Sequence, residues 1–313
     1  MAEKIATREA YGNALAELGD KYDFVVLDAD LAAATKTGIF KKKFPERFFD
    51  CGIAEGNMMS VAAGLAAAGK VVFASSFAMF AAGRAYEQVR NSIGYPHLNV
   101  KIGATHAGIT VGEDGATHQC VEDFALMRAI PGMTVINPAD AVEARAAVEA
   151  AINFNGPVYM RFGRYAVPVL NDKETYKFEL GKGVQMKDGS DLTIVATGMM
   201  VGMALEAAEV LAAKGISARV VNIHTLKPID KDIILKAAKE TGAIVTAEEH
   251  SIIGGLGSAV AEVVGEGCPV PVVRLGVDDK FGHSGKVPPL LEMYGLTPAN
   301  IVAKAEIALN LKK

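Results

Sequence analysis

The stretch from Thr105 to Gln119, Thr-His-Ala-Gly-Ile-Thr-Val-Gly-Glu-Asp-Gly-Ala-Thr-His-Gln, gathers two imidazoles (His106, His118) and two carboxylates (Glu113, Asp114) into 15 residues. Glycines at 108, 112 and 115 make it a loop that its own side chains cannot fill. A lone histidine is usually structural; this density of titratable groups in an open loop reads as a functional site. Two further stretches carry candidate chemistry. Glu55, in Asp50-Cys-Gly-Ile-Ala-Glu-Gly-Asn-Met-Met59, sits where a strand gives way to an apolar helix. Taken alone it is an acid complementing the helix dipole. Phe77 and Phe80, in Phe73-Ala-Ser-Ser-Phe-Ala-Met-Phe80, are by themselves ordinary core residues. Glu113-Asp114-Gly115 with Asn137 loosely imitates a magnesium-diphosphate motif. A glutamate in place of the first glycine would set a carboxylate beside a polyanion, and Asn137 before Pro138 reads as a turn.

These residues need a scaffold, and the alternation of short β-branched runs with alanine-rich helical stretches supplies one. Strands are expected at Phe24–Leu27, Val71–Phe73, Val100–Ile102, Thr134–Ile136 and Val158–Met160, and helices around 5–18, 56–68, 78–92 and 140–153. That order predicts a parallel sheet covered on both faces, with the 105–119 loop at the carboxyl edge where such sheets bind ligands. From about 165 to 190 the pattern lapses into polar turn material. It resumes with strands at 192–195, 218–221, 243–246 and 270–275, and helices near 200–214, 231–240, 256–265 and 298–309. We therefore expect an α/β protein of two parallel-sheet domains: residues 1–170, a linker at 171–190, and a smaller domain at 191–313.

The whole-chain numbers narrow the class. At 313 residues the chain suits two domains, and 50% hydrophobic residues suffice for two cores. A formal net charge of −4 with interspersed signs, and no basic block longer than Lys41-Lys42-Lys43, argue against nucleic acid as a partner. No apolar run reaches the length of a membrane span, and the amino terminus has no signal-peptide core, so the expected location is cytoplasmic. Cys51, Cys120 and Cys268 lie far apart, with neither disulfide nor metal spacing.

Together, the 105–119 loop, Ile53-Ala54-Glu55 and the Phe77/Phe80 segment resemble the carboxyl-terminal portion of transketolase, over essentially the whole chain. The resemblance implies a pyrimidine-binding domain followed by the transketolase C-terminal domain, and two-carbon ketol transfer between sugar phosphates. Thiamine diphosphate is the implied cofactor. By that resemblance, Glu55 hydrogen-bonds the cofactor's pyrimidine, favouring the imino tautomer; to donate, it must be protonated, which burial promotes. Phe77 stacks on the aminopyrimidine, Phe80 is a neighbouring aromatic, and Asp30 and Leu31 approach the thiazolium. His106 and His118 bind and move protons at sugar oxygens, Asp114 binds the acceptor's C2-hydroxyl side, and Arg8 and Arg161 clamp the substrate phosphate. A family serine at that phosphate is matched by Ala34, with Thr35 beside it.

No Gly-Asp-Gly motif follows an apolar strand, so the resemblance assigns the diphosphate and its Mg2+ or Ca2+ to a separate N-terminal transketolase subunit. No metal ligand is expected on this chain. The expected assembly is α2β2, with this chain homodimerising inside it. Further on, Glu248-Glu249-His250 ahead of Gly254-Gly-Leu-Gly257 suggests an anion-binding loop at a helix start, although Val260 breaks strict GxGxxG spacing. Asp279 to Gly285 reads as structural or interfacial. Three alternatives stay open. A 2-oxo-acid dehydrogenase E1 β subunit has no sugar hydroxyls for the histidine loop to hold. Against a 1-deoxyxylulose-5-phosphate synthase-like chain stand Arg8 and His106. An inactive regulatory subunit would have no need to keep Glu55 and both histidines.

Overall fold

A computed structural model describes residues 3–312. Its first sheet has seven strands, in the spatial order Thr225–Lys227, Thr134–Ile136, Val158–Arg161, Val100–Thr105, Val72–Phe77, Val25–Asp28 and Phe48–Asp50. All neighbours run parallel except the edge strand Thr225–Lys227, which is antiparallel to Thr134–Ile136. The central strands are buried along their whole length, as both faces of a helix-covered parallel sheet must be. One face is closed by the helices Thr7–Leu18 and Ala141–Asn153 over a core of Tyr11, Phe24, Phe73 and Phe162. Asp140 starts the second of these, its carboxylate accepting from the Glu143 amide at 2.8 Å.

The second sheet has five strands, in the order Val272–Val277, Ile244–Ser251, Leu192–Ala196, Ala218–Asn222 and Val184–Lys187. The first four are parallel and the last is an antiparallel edge. A two-stranded antiparallel pair, Lys4–Ala6 with Ala166–Pro168, makes a third, minor sheet; the α/β character and the two large sheets agree with the sequence expectation. Two details do not follow the pattern reading. Val184–Lys187 lies inside the stretch expected to be linker, and Thr225–Lys227 crosses from the second half of the chain to the first sheet.

The helix expected at 78–92 is not uniformly wound. Two π-helical turns, Met79–Arg84 and Val89–Gly94, flank a single α turn at Tyr86–Gln88. Such widened turns are uncommon and recur at functional sites. Among the described residues, no helix is long and apolar enough to cross a membrane.

Candidate active site

Strands Val25–Asp28, Val72–Phe77 and Val100–Thr105 end at one edge of the first sheet, so the segments that follow them converge there. They meet the start of helix Glu55–Ala67 around a cleft of about 380 Å3 whose lining includes Asp30, Leu31, Glu55, Phe80, Arg84 and His118. Asp28 builds the near wall. Its buried carboxylate accepts from the Leu31 amide at 2.6 Å and from the Thr35 and Thr37 hydroxyls at 2.7 and 2.8 Å. Burial still pushes its pKa up to about 6. Asp30, next in the turn, has φ of 61°, a left-handed conformation that aspartate tolerates better than most non-glycine residues.

Glu55 is 2% exposed, and both its carboxylate oxygens accept from Arg84 Nη1, at 3.1 and 3.0 Å. The Arg84 guanidinium also lies over the Phe80 ring, 4.4 Å from its centroid. The two phenylalanines divide differently from the expectation. Phe77 is buried, and its face is covered by His106 at a centroid separation of 3.8 Å. The aromatic that lines the cleft is Phe80, one π turn further on, with the edge of His118 against it at 5.3 Å. Phe77 closes the strand and is buried, with His106 over one face of its ring.

His106 also has positive φ, 56°. Arg8 Nη1 lies 2.8 Å from its Nε2. A guanidinium only donates, so Nε2 is the acceptor, and the ring proton sits on Nδ1, which donates to Thr105 Oγ1 at 2.9 Å. Burial first, then Arg8 and Arg164, lower the imidazole's pKa to about 3, so His106 is neutral. Arg8 spends a second hydrogen bond on the Ala34 carbonyl, at 3.0 Å. Thr35 cannot stand in for the serine that Ala34 lacks, because its hydroxyl is buried against Asp28.

Arg161 does not join this group. It is 3% exposed, its Nε donates to Asp123 at 2.8 Å, and its Nη2 donates to the backbone oxygens of Cys120 and Glu249 at 3.3 and 2.9 Å. With Nε and Nη2 committed to Asp123 and to two backbone carbonyls, this guanidinium holds the interior together and stands apart from the residues lining the cleft. Three residues later, Arg164 has left the strand. Its Nη1 donates to the Val111 carbonyl at 2.5 Å and lies 3.4 Å from Glu113. It is also close enough to Arg8 and His106 to act on both electrostatically: burial and then Arg164 lower the Arg8 pKa. Asp114 is exposed on the loop tip. The suspected anion-binding loop is already filled: Glu248's own carboxylate accepts from the Leu256 and Gly257 amides at 2.6 and 2.8 Å.

Residues 3–169 match the transketolase pyrimidine binding domain, and residues 181–301 match the transketolase C-terminal domain. The chain belongs to the transketolase family. A putative transketolase C-terminal section of Methanocaldococcus jannaschii is 53% identical over 95% of this chain and 94% of that protein. A 6-deoxy-6-sulfo-D-fructose transketolase subunit of Clostridium sp. (strain MSTE9) is 49% identical, covering 95% and 92%. A solved structure described as a split gene transketolase, inactive beta4 tetramer, superposes with a TM-score of 0.93 at 57% identity, covering 99% of this chain and 100% of its own.

Within this transketolase scaffold, sequence reasoning missed Arg84 and Arg164. Arg164 was findable: of two arginines in Arg161-Phe-Gly-Arg164, only the one beyond the strand end reaches the ligand edge of the sheet. Arg84 carried no such signal, since its approach to Glu55 depends on the π winding of Met79–Arg84.

Proposed function

We propose that this chain is the C-terminal subunit of a two-subunit, thiamine-diphosphate-dependent transketolase that moves a two-carbon ketol unit between sugar phosphates. One observation carries the reading: a buried carboxyl, Glu55, and a substrate-loop histidine, His118, face the same cleft, with two arginines flanking the adjacent His106. The cleft fits the pyrimidine end of the cofactor, having the Glu55 carboxyl for a ring nitrogen and Phe80 for a planar face. When bound, thiamine diphosphate supplies the nucleophilic carbon and electron sink for carbon–carbon cleavage.

The chain's own residues then divide the work. Glu55 donates to the pyrimidine, and Asp30 and Leu31 flank the reacting end. His118, partly exposed, transfers protons at the sugar oxygens. His106, neutral, offers Nε2 as an acceptor once Arg8 turns to an anion. Asp114 binds the acceptor's hydroxyl. Arg8 and Arg164 hold the phosphate, a role in which paired guanidinium forks suit a tetrahedral anion.

The diphosphate and its Mg2+ or Ca2+ belong, in this reading, to an N-terminal partner subunit in an α2β2 assembly. Support comes from relatives described as a C-terminal section and as subunits, and from full-length proteins such as transketolase-like protein 1 of Bos taurus, of which this chain covers 52%. Free Cys51, Cys120 and Cys268 suit a reducing cytoplasm, where a pentose phosphate route would run.

Mixing the chain with a separately produced transketolase N-terminal section, thiamine diphosphate and Mg2+ tests this. Ketol transfer from xylulose 5-phosphate, fructose 6-phosphate or 6-deoxy-6-sulfo-D-fructose to ribose 5-phosphate should appear only in the mixture, and Glu55→Ala should abolish it. Condensation of pyruvate with glyceraldehyde 3-phosphate in its place would identify a deoxyxylulose-phosphate synthase. No transfer with any donor would leave a binding subunit.

A further inference from the structure

The loop that carries His106, Asp114 and His118 is held by the other domain. Its neck is closed by the Gly108 amide donating to the Cys120 carbonyl at 2.8 Å. Into that neck reaches Glu249, from strand Ile244–Ser251 of the second sheet, 5% exposed. Its Oε1 accepts from the Thr110 amide at 2.7 Å, across 139 residues of sequence. Gly108, at φ of 78°, lies against the same carboxylate so closely that a Cβ there would collide with it. Glu249 is itself anchored, since its carbonyl accepts from Arg161 Nη2, which also holds the Cys120 carbonyl. At the far end of the loop, Gln119 Nε2 donates to Ile109, Gly112 and His283 carbonyls at 3.0, 3.3 and 2.8 Å. Two of its three acceptors are in the loop, and the third is in the second half of the chain.

We propose that the C-terminal domain acts in the reaction by holding the substrate loop in register, with Glu249 as the positioning residue. The inference rests on the proposed ketol transfer for its kinetic consequence but not for its structural one. Among the described residues, no hydrogen bond or ion pair joins the Glu249 side chain to a residue lining the cofactor cleft. Its Oε1 accepts from a loop amide that lies between His106 and Asp114. A buried carboxyl is costly to maintain: burial pushes the Glu249 pKa up, against Arg161 and the Thr110 amide. An apolar side chain of the same volume would fill the space without that cost, but it would leave the Thr110 amide without an acceptor.

Two variants of similar volume separate the acceptor from the charge. Glu249→Gln keeps an oxygen for the Thr110 amide; Glu249→Met removes it; both remove the charge. Hydrogen exchange on the chain alone should show the 107–115 amides opening at least tenfold faster in E249M than in E249Q, with 72–77 and 100–104 unchanged. In the reconstituted enzyme, E249M should lose about tenfold or more in kcat/KM for ketol transfer. E249Q should stay within about threefold of wild type, and thiamine diphosphate affinity should be the same in all three. Equal loop exchange in E249M and E249Q would overturn the proposal, as would equal kcat/KM in the two. Loss of cofactor affinity in E249M would overturn it too, because that marks general damage. A wild-type assembly without ketol transfer would instead sink the proposed function, leaving the exchange comparison to decide the loop-holding role.

Discussion

Arg84 closes over Glu55, its Nη1 within 3.1 Å of both carboxylate oxygens, while its own side chain stays half-exposed above Phe80. The relationship is asymmetric: the acid is fixed and buried, and the base is the movable partner. A carboxyl that must donate a hydrogen to a pyrimidine nitrogen cannot keep both oxygens on a guanidinium. Arg84 therefore has to swing away when the cleft fills.

For the chain alone, this makes Arg84 a stabilising partner. An ion pair with one exposed member contributes about 1 kcal/mol at most, and the pair sits near that limit because Glu55 is buried while Arg84 is half-exposed. In urea unfolding at pH 7, Arg84→Met should cost about 1 kcal/mol, and should cost almost nothing in a Glu55→Gln background. The double-mutant cycle measures the coupling directly. Additive single variants would show that the contact has no energetic content.

The exchange of roles between Arg161 and Arg164 gives a second expectation. Hydrogen bonds to a charged group are worth about 1.5–3 kcal/mol, so Arg164→Ala or Arg8→Ala should lower the kcat/KM ratio of xylulose 5-phosphate over unphosphorylated xylulose by roughly ten- to hundredfold. Arg161→Ala should leave that ratio near wild type and act on stability, because it strands the buried Asp123. A lowered ratio in Arg161→Ala, with Arg164→Ala unaffected, would reverse the assignment.

Ala34 offers a gain rather than a loss. Its carbonyl already receives Arg8, and its side chain is only partly buried. In Ala34→Ser a hydroxyl should add one phosphate contact worth about 0.5–1.5 kcal/mol. The KM for a phosphorylated donor should fall roughly two- to tenfold, with unphosphorylated donors unchanged. Steady-state kinetics on paired donors decides it; equal changes for both would place Ala34 away from the phosphate.

Glu143 ties the domains together and sets a pH dependence. Fully buried, it accepts from the Ala139 amide at 2.6 Å, the Tyr176 hydroxyl, and Asn222 from the second sheet at 2.9 Å. Burial raises its pKa from 4.5 to about 7. The folded chain thus holds a proton between pH 4.5 and 7 that the unfolded chain has released, so this residue's contribution falls as pH rises through that window. A shift of that size amounts to roughly 3 kcal/mol by pH 7. Buried His106, His224 and His250, with lowered pKa values, act in the opposite sense. The clean measurement is therefore the stability of Glu143→Gln relative to wild type, which should improve from pH 5 to pH 8. A constant difference would mean that Glu143 does not titrate there.

Much of this was legible before any coordinates, for physical reasons. The parallel strands announce themselves because burial on both faces forces continuous apolar runs, as in Val25-Val26-Leu27 and Val72-Phe73. The 105–119 loop stands out because its glycines leave titratable groups nowhere to hide. What the pattern could not supply is direction. Phe77 and Phe80 differ only in which way their rings face, and that is set by where the strand stops and the π turn begins. Short edge elements such as Phe48–Asp50 and Val184–Lys187 have too few residues to show a period, and their partners are distant in sequence.

Strand Thr225–Lys227 has a practical consequence for anyone wishing to cut the chain in two. It supplies the outermost hydrogen-bonding row of the first sheet, pairing with Thr134–Ile136. Lys227 Nζ further donates to the Arg128 and Ile130 carbonyls. A truncated protein ending near residue 170 would therefore uncover the backbone of an apolar, fully buried strand, the template on which unrelated chains pair and precipitate. The halves look separable on paper, but each would have to be expressed with a borrowed piece of the other.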